Sequence, residues 1–521
     1  MLNYWWVTRP KRRLNSIPEV LAAIAEQALN KEWQGQRGTH LSFEGALEEA
    51  GLKRKGERRD QTGGGARTYL AWISSLGLIF KQESTGDLKL TLAGEAIMSG
   101  DSPVAVLKNQ ILKYQFPSSF SISRGVNVSS RFKIRPFRFL LKLLADSDVE
   151  NLSEEEIAKI IIVEAENETE QCYKKVKEKL LEFRIKGDSC LGKDFFEKYS
   201  SGKGKENSNF IYLKDIANTI INWLEYTQLA KRDDDKKLRI ISDKMDEILS
   251  ILADKPPFID RSDNEEYFQR KYGVDPKHTK DTRNLTETKT ITAIMIAEQK
   301  IKQAFISESL KAPIGRISAD LIDKIAEQTG IIDIKLIEET LLKLYPHGAV
   351  SSFMTEYFQM AFKGRDEAVE FEKATAELFK TVMGLETSHV GPLGLTPDVL
   401  LLSDTDGFCG IIDNKAYSRY TINNDHKNRM VHNYIRGLAN YYKGTLPLAF
   451  FSYIAGGFGK NINSQIQEIV SETHIHGSAV SVHNIIDIAS MYHGTPIPHT
   501  KIKEVLSLDR QVLQSDMNKL K

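Results

Sequence analysis

Apolar residues recur every three or four positions in IPEVLAAIAEQALN (17–30), the spacing that lines one face of a helix. SFEGALEEAGL (42–52) predicts a second helix, with Ser42 as its N-cap, Glu44 in the first turn and Gly51 near its end. KRKGERRDQTGGGA (53–66) is polar, basic and glycine-rich, and predicts a loop. RTYLAWISSLGLIF (67–80) predicts a helix running into a strand, and KQESTGDLKLTLAGEAI (81–97) a turn at Thr85-Gly86, a second strand and a short helix. Three helices and a two-stranded ribbon over 16–100 follow the order of a winged helix-turn-helix, which can lay one helix in a major groove. Such modules also serve protein contacts, so the order alone does not assign DNA binding.

The pattern continues as a second helical unit. AVLKNQILKYQFPS (105–118) is amphipathic and stops at Pro117, and SRGVNVSSRFKIRPFRFLLKLL (123–144) mixes basic and aromatic residues before another helix. SEEEIAKIIIV (153–163) opens on a Ser N-cap with an acidic first turn. YSSGKGKENSNF (199–210) predicts a loop, and LKDIANTIINWLEYTQLAKRDDDKKLRIIS (213–242) a helix and a second possible wing. DKPPFIDRSDNEEYF (254–268) is a turn-rich boundary, and 286–345 is helical with little chemistry. In the last part, RDEAVEFEKATAELFKTVMG (365–384) predicts one amphipathic helix ended by Gly384, and HVGPLGL (389–395) a loop. PDVLLL (397–402) and GFCGIID (407–413) predict an antiparallel strand pair joined by SDTDG (403–407). HKNRMVHNYIRGLANYYKG (426–444) predicts a helix and LPLAFFSYIAGG (446–457) a central strand covered on both faces. A short strand at SAVSV (478–482) and further helices complete a helix-flanked mixed sheet.

Composition narrows the class. The chain of 521 residues is 41% hydrophobic and 27% charged, as a globular protein of several domains is. Every apolar run is interrupted before membrane-spanning length, and the start MLNYWWVTRPKRRLNS lacks the order of a secretory signal. Cys172, Cys190 and Cys409 form neither a disulfide framework nor a zinc set, so a cytoplasmic, bacterial setting is expected. The net charge of +1 hides an asymmetry: between Lys53 and Lys142 there are 16 Lys and Arg against 6 acids. That segment suits a polyanion, because cationic side chains displace counterions condensed on a nucleic-acid backbone. Arg54, Lys55, Arg58, Arg59, Arg67, Arg131, Lys133 and Arg135 are the expected DNA contacts, mostly to phosphate.

The chemistry concentrates in LTPDVLLLSDTDGFCGIIDNKAYSRY (395–420). Asp398 opens one strand, Asp413 closes its neighbour, and Lys415 follows two residues later on the same sheet face. Hard divalent ions prefer such carboxylate oxygens plus waters, and a nearby lysine can orient a nucleophilic water or stabilise developing charge. An acid-x-Lys tripeptide alone means little: Asp87-Leu-Lys89, Asp275-Pro-Lys277, Glu287-Thr-Lys289 and Asp333-Ile-Lys335 share it. Only the copy at 413–415 has an upstream strand acid, a hairpin and a preceding amphipathic helix. His389 could touch a phosphate but reads as a loop histidine, and Asp404 and Asp406 read as hairpin-turn residues. Gly63–Gly65 lacks the Lys-Ser/Thr ending of a nucleotide-binding loop, and His432-Asn433 lacks the surroundings of an HNH nuclease site.

TPDVLLL…GIIDNKAYS resembles the PD-(D/E)xK nuclease core, and most closely the cleavage domain of FokI-like type IIS restriction endonucleases. The resemblance covers roughly 360–521 and is specific at the Pro-Asp and at DNKAYS; the N-terminal half resembles the recognition regions of type IIS and nicking enzymes more loosely. It implies that Asp398 and Asp413 bind Mg2+, that Lys415 is the catalytic lysine, and that Glu372, or else Glu370, is the first-helix glutamate that hydrogen-bonds into the site. It further implies recognition of a short asymmetric double-stranded DNA sequence, cutting at a fixed distance, and homo-oligomer formation through the cleavage domain, with His426–Lys443 as the candidate interface.

The expected fold class is multidomain α+β. A winged-helix recognition module at 1–105, a second helical or winged-helix module at 106–255 and a helical connector at 256–350 precede a PD-(D/E)xK endonuclease domain with a mixed central sheet at 351–521. A strand-specific nicking subunit and a non-catalytic winged-helix DNA-binding regulator are the alternatives.

Overall fold

Gly86 stands at φ +74°, a conformation glycine adopts without strain, and reverses the chain between β1 (Ile79–Lys81) and β2 (Leu88–Leu90). The two strands pair antiparallel with Ile79 opposite Leu90. This ribbon follows helices at Ile17–Ala28, Arg37–Glu49 and Gly64–Ser75. The computed structural model describes residues 1–54, 63–123, 126–199, 211–233, 235–285, 293–390 and 395–520. Most of the loops expected at 53–66 and 199–210, and residues 391–394 of the loop expected at 389–395, lie outside them. The chain divides into two compact units, Met1–Gln303 and Ala304–Lys521. Among the described residues no helix is long and apolar enough to cross a membrane.

In the first unit, Thr91 caps the Leu92–Met98 helix through its side chain, and Ser102 caps Pro103–Lys113. Ser153 and Glu156 form a reciprocal capping box, as the acidic first turn suggests, but the next turn widens into a π-helix at Ile157–Ile161. The Ile211–Tyr226 helix leads into β4 (Ala230–Arg232) and β5 (Leu238–Ile240), and β3 (Asn151–Leu152) joins their sheet in the order β3-β5-β4. Trp223 stacks on Phe137 at 6.0 Å in the core. Ser42 does not cap the second helix, which begins five residues earlier. Apolar Phe43 and Leu47 are buried on the face of that longer helix, so packing rather than a cap sets its start.

The second unit holds helices at Ala319–Thr329, Ile334–Leu344 and Val350–Met360, then a mixed sheet ordered β11-β10-β9-β8-β7-β6. Its strands are β6 (Glu386–His389), β7 (Val399–Ser403), β8 (Phe408–Lys415), β9 (Leu448–Ala455), β10 (His476–Ser481) and β11 (Arg510–Gln511). β6, β7 and β8 run antiparallel, whereas β8, β9, β10 and β11 are parallel. β9 is central and largely buried, as its unbroken apolar run predicts. The Ala368–Met383 helix ends at Gly384, in the left-handed region at φ +67°.

Two expectations for this sheet are corrected. His389 is the last residue of edge strand β6 rather than a loop residue; Glu-Thr-Ser-His carries no apolar alternation because an edge strand is half solvated. Residues 426–444 are not one helix: a short helix at Asn424–Asn428 widens into a π-helix at Arg429–Ile435 and breaks at Gly437 before a 3-10 turn. A Cβ at Gly437 would lie 2.2 Å from the Asn433 carbonyl oxygen, so the chain turns where only glycine fits.

Candidate active site

β8 alternates between two packed faces. Cys409 and Ile411 point into a core with Leu400, Tyr420, Tyr434 and Tyr453, and alternation carries Asp413 and Lys415 toward the same face. Asn414 points the other way, donating from Nδ2 to Thr375 Oγ1 at 2.6 Å on the Ala368–Met383 helix. Thr375 is fully buried and also meets the Tyr357 hydroxyl at 3.0 Å. The hairpin register fixes the partner acid: Val399 lies opposite Ile412, so Asp398, one residue earlier, comes opposite Asp413. The Asp398 amide donates to the Ile412 carbonyl at 3.1 Å, and Asp398 Oδ2 accepts the Asn414 amide at 2.5 Å. Two carboxylates are thereby held beside each other at the end of an apolar sheet.

Their electrostatics are unbalanced. Burial first, and then the charges of Asp413 and Glu372, push the Asp398 carboxyl well above the usual carboxylate range, against opposing effects of Lys415 and the Asn414 amide. Lys415 Nζ lies 2.6 Å from Asp413 Oδ2. Burial pulls the Lys415 ammonium down, but Asp413 and Asp398 outweigh it and leave it above its ordinary value. Asp413 is 2% exposed, and its Oδ1 is buried with no hydrogen-bond partner. A buried carboxylate oxygen without a donor, beside a second carboxylate, fits a hard divalent cation, which takes one or two carboxylates and completes its shell with water. Among the described residues no three His, Cys, Asp or Glu side chains converge as a metal cage, so the fit concerns these two acids.

Glu372 Oε2 pairs with His389 Nε2 at 2.8 Å, joining the Ala368–Met383 helix to the end of β6. Glu372 is close enough to act electrostatically on both Asp398 and Lys415. Glu370, the other candidate, lies 3.2 Å from Lys373 on an exposed helix face. Sequence reasoning missed the opposite wall: the Tyr420 hydroxyl meets His426 Nδ1 at 2.9 Å, and its ring stacks on Tyr417 at 6.0 Å. Burial, then the Lys415 charge, holds His426 below its ordinary value. No spacing rule ties His426 to Asp413; the turn of the chain between β8 and the Asn424–Asn428 helix brings it there. The Asn414 bridge was legible only as an inward-facing position between the two motif residues.

Of the expected DNA contacts, Lys55, Arg58 and Arg59 lie outside the described residues, and Arg54, Arg67 and Lys133 are exposed. Arg131 is engaged within the fold, pairing with Glu166 and donating to the carbonyls of Asn3 at 2.9 Å and Val163 at 2.7 Å. Arg135 is 6% exposed and forks onto Glu168, with contacts of 2.9 and 2.6 Å. A guanidinium so paired and buried has little left to offer a phosphate.

The model of the FokI cleavage domain matches residues 331–513, and that of the AlwI restriction endonuclease matches 74–360. No curated protein matches the chain. Among solved structures, restriction endonuclease FokI is 14% identical over 98% of this chain and 100% of that one, with a TM-score of 0.29. FokI bound to DNA is 14% identical over 97% and 93%, with a TM-score of 0.28. The BpuJ1 endonuclease binding domain, in complex with pyrene- and phenanthrene-modified DNA, is 18% identical over 52% and 95%, with a TM-score of 0.37. All three scores are low, and membership rests on the family models. With more than half of its length matched by the AlwI model and its C-terminal part by the FokI cleavage domain, the chain belongs to the AlwI restriction endonuclease family and is a FokI-like type IIS site-specific deoxyribonuclease.

Proposed function

We propose that the chain recognises a short asymmetric sequence in double-stranded DNA and hydrolyses phosphodiester bonds at a fixed distance outside it, with Mg2+ held by Asp398 and Asp413. The observation that carries this reading is the buried, unpartnered Asp413 Oδ1 set opposite an Asp398 whose carboxyl burial has raised. When bound, the metal supplies Lewis-acid neutralisation of phosphate charge. The residues do the rest. The Asn414 amide fixes one oxygen of Asp398, and Asn414 itself is tied to Thr375, so the acid is oriented before substrate arrives. Lys415, kept protonated by the two acids, stabilises charge developing on the phosphate and orients the attacking water. Glu372, steadied by His389, shapes the field around both.

The recognition modules at 1–105 and 106–255 read as winged helices, and the helical connector at 256–350 leads to the endonuclease domain at 351–521. Arg54, Lys55, Arg58, Arg59, Arg67 and Lys133 are the phosphate contacts of this reading, with Arg131 and Arg135 serving mainly to shape the surface. Cutting both strands involves pairing of cleavage domains through residues 426–443, and the enzyme works in the bacterial cytoplasm. The alternative of a non-catalytic regulator falls with the family assignment.

Supercoiled plasmid incubated with Mg2+ is expected to give discrete linear fragments, with a rate rising more steeply than linearly in enzyme concentration. Asp398→Asn and Asp413→Asn are each expected to abolish cutting and keep binding; cutting that survives both would sink the site. A product that stays nicked instead of linear would favour a strand-specific nicking subunit.

A further inference from the structure

Within the Met1–Gln303 unit lies a cleft of about 1100 Å3, lined by six cationic side chains against three acidic ones. The acids are already engaged. Asp281 pairs with Arg270 and Arg283, Glu266 accepts the Glu83 amide at 2.7 Å, and Glu83 accepts from Asn264 Nδ2 at 3.5 Å. Three of the cations are neutralised as well: Arg135 by Glu168, Arg270 by Asp281, and Lys271 by Asp260. The other three, Lys113, Arg261 and Lys280, have no carboxylate at ion-pair distance among the described residues.

Each of these three is held without a carboxylate partner among the described residues. Lys113 Nζ donates to the Val274 carbonyl at 2.6 Å, which orients the ammonium without cancelling it. Arg261 lies in the left-handed backbone region at φ 51°, uncommon for a side chain of its size, and its guanidinium lies 4.5 Å from the Tyr267 ring centroid. An aromatic face steadies a cation and leaves its hydrogen-bond donors free. Lys280 is exposed on the same lining. Burial lowers Lys113 to about 7 against the opposing charge of Asp275, and a phosphate beside it would favour the charged form.

We propose that this cleft seats the sugar-phosphate backbone of the DNA duplex, with Arg261, Lys280 and Lys113 contacting its phosphates. The proposal rests on the reading of the chain as a DNA-cutting enzyme and adds an anchor separate in sequence from the basic run at 53–67.

The test is the salt dependence of binding by the full-length protein. A labelled duplex spanning a position that the wild type cuts is titrated without divalent metal from 50 to 200 mM salt, using wild type, the Arg261→Ala/Lys280→Ala double variant, Lys280→Glu and Arg261→Lys. Each lost phosphate contact flattens the plot of log affinity against log salt by about 0.9, so the double variant is expected to lose about 1.8 of slope and about ten-fold in affinity at low salt. Lys280→Glu, a change at an exposed side chain, is expected to move in the same direction, and Arg261→Lys to keep most of the slope. Wild-type slopes in the double variant and in Lys280→Glu would overturn the proposal, while wild-type cutting would leave the functional reading intact. A wild type that cuts no plasmid DNA and binds no duplex would overturn both. Inorganic phosphate is the second arm: thermal stabilisation of wild type by phosphate that the double variant loses, with its DNA slope unchanged, would assign the cleft to free phosphate and overturn the DNA assignment.

Discussion

Asp398 and Asp413 do opposite things to the protein and to its substrate. Burial disfavours the Asp398 charge and leaves Asp413 Oδ1 without a donor, and both features suit the pair to a cation. Replacing either by Asn is expected to lower the cutting rate by at least about 10³-fold, since several kcal/mol of charge stabilisation go with the metal; DNA affinity without metal, read by anisotropy, should stay within a factor of a few. Lys415→Arg is not expected to rescue Lys415→Ala, because a forked guanidinium does not occupy the place of a compact ammonium. Lys113 gives a pH signature. Its folded value of about 7 lies below the ordinary 10.5, so between those values the unfolded state binds the extra proton and stability rises with pH. The destabilisation is complete below pH 7. Lys113→Met is therefore expected to raise the melting temperature relative to wild type most at pH 6, with the difference moving against the variant toward pH 10; a pH-independent difference would refute the buried-lysine account.

At the scale of elements, β8 works because both its faces are spoken for. One carries the acid and lysine, and the other is pinned to the Ala368–Met383 helix through Asn414 and Thr375. Thr375→Val keeps the shape but strands the Asn414 amide and the Tyr357 hydroxyl, and should cost about 1–3 kcal/mol in urea unfolding. Cutting should fall as well, because the Asn414 side chain tied to Thr375 anchors the backbone N–H that Asp398 Oδ2 accepts. The β7–β8 hairpin was legible from its two apolar runs and from SDTDG, where Gly407 takes φ +65°. β6 was not legible, since a polar edge strand looks like a loop until its partner is known. Residues 426–444 looked like one helix because Met430, Val431 and Tyr434 have helical spacing, yet their burial against the sheet is met by a π turn and a break.

For the whole molecule, the candidate catalytic residues all lie in Ala304–Lys521, whereas the basic segment and the cationic cleft lie in Met1–Gln303. The expected consequence is separability. A fragment of 304–521 should cut plasmid in the presence of Mg2+ without discrete fragments, and 1–303 should bind DNA with a steep salt slope and no cutting. Discrete fragments from 304–521 alone would refute this division of labour. The asymmetry of charge that suggests a polyanion partner is a property of the chain, but which cations remain available is not. Arg131 and Arg135 stood among the expected contacts until Glu166 and Glu168, 35 and 33 residues away, proved to hold them.

The sequence by itself determined what depends on near neighbours: the period of each helix, the alternation that brings Asp413 and Lys415 to one face, and the hairpin that returns the chain to Asp398. Only the tertiary structure decided what depends on distant partners. Register sets Asp398 opposite Asp413, packing leaves one Asp413 oxygen without a donor, and long-range pairing neutralises some cations while leaving Arg261 and Lys280 open. The reason is physical. Local patterns follow from backbone geometry repeated every few residues, whereas the state of a charge depends on every group that folding brings near it.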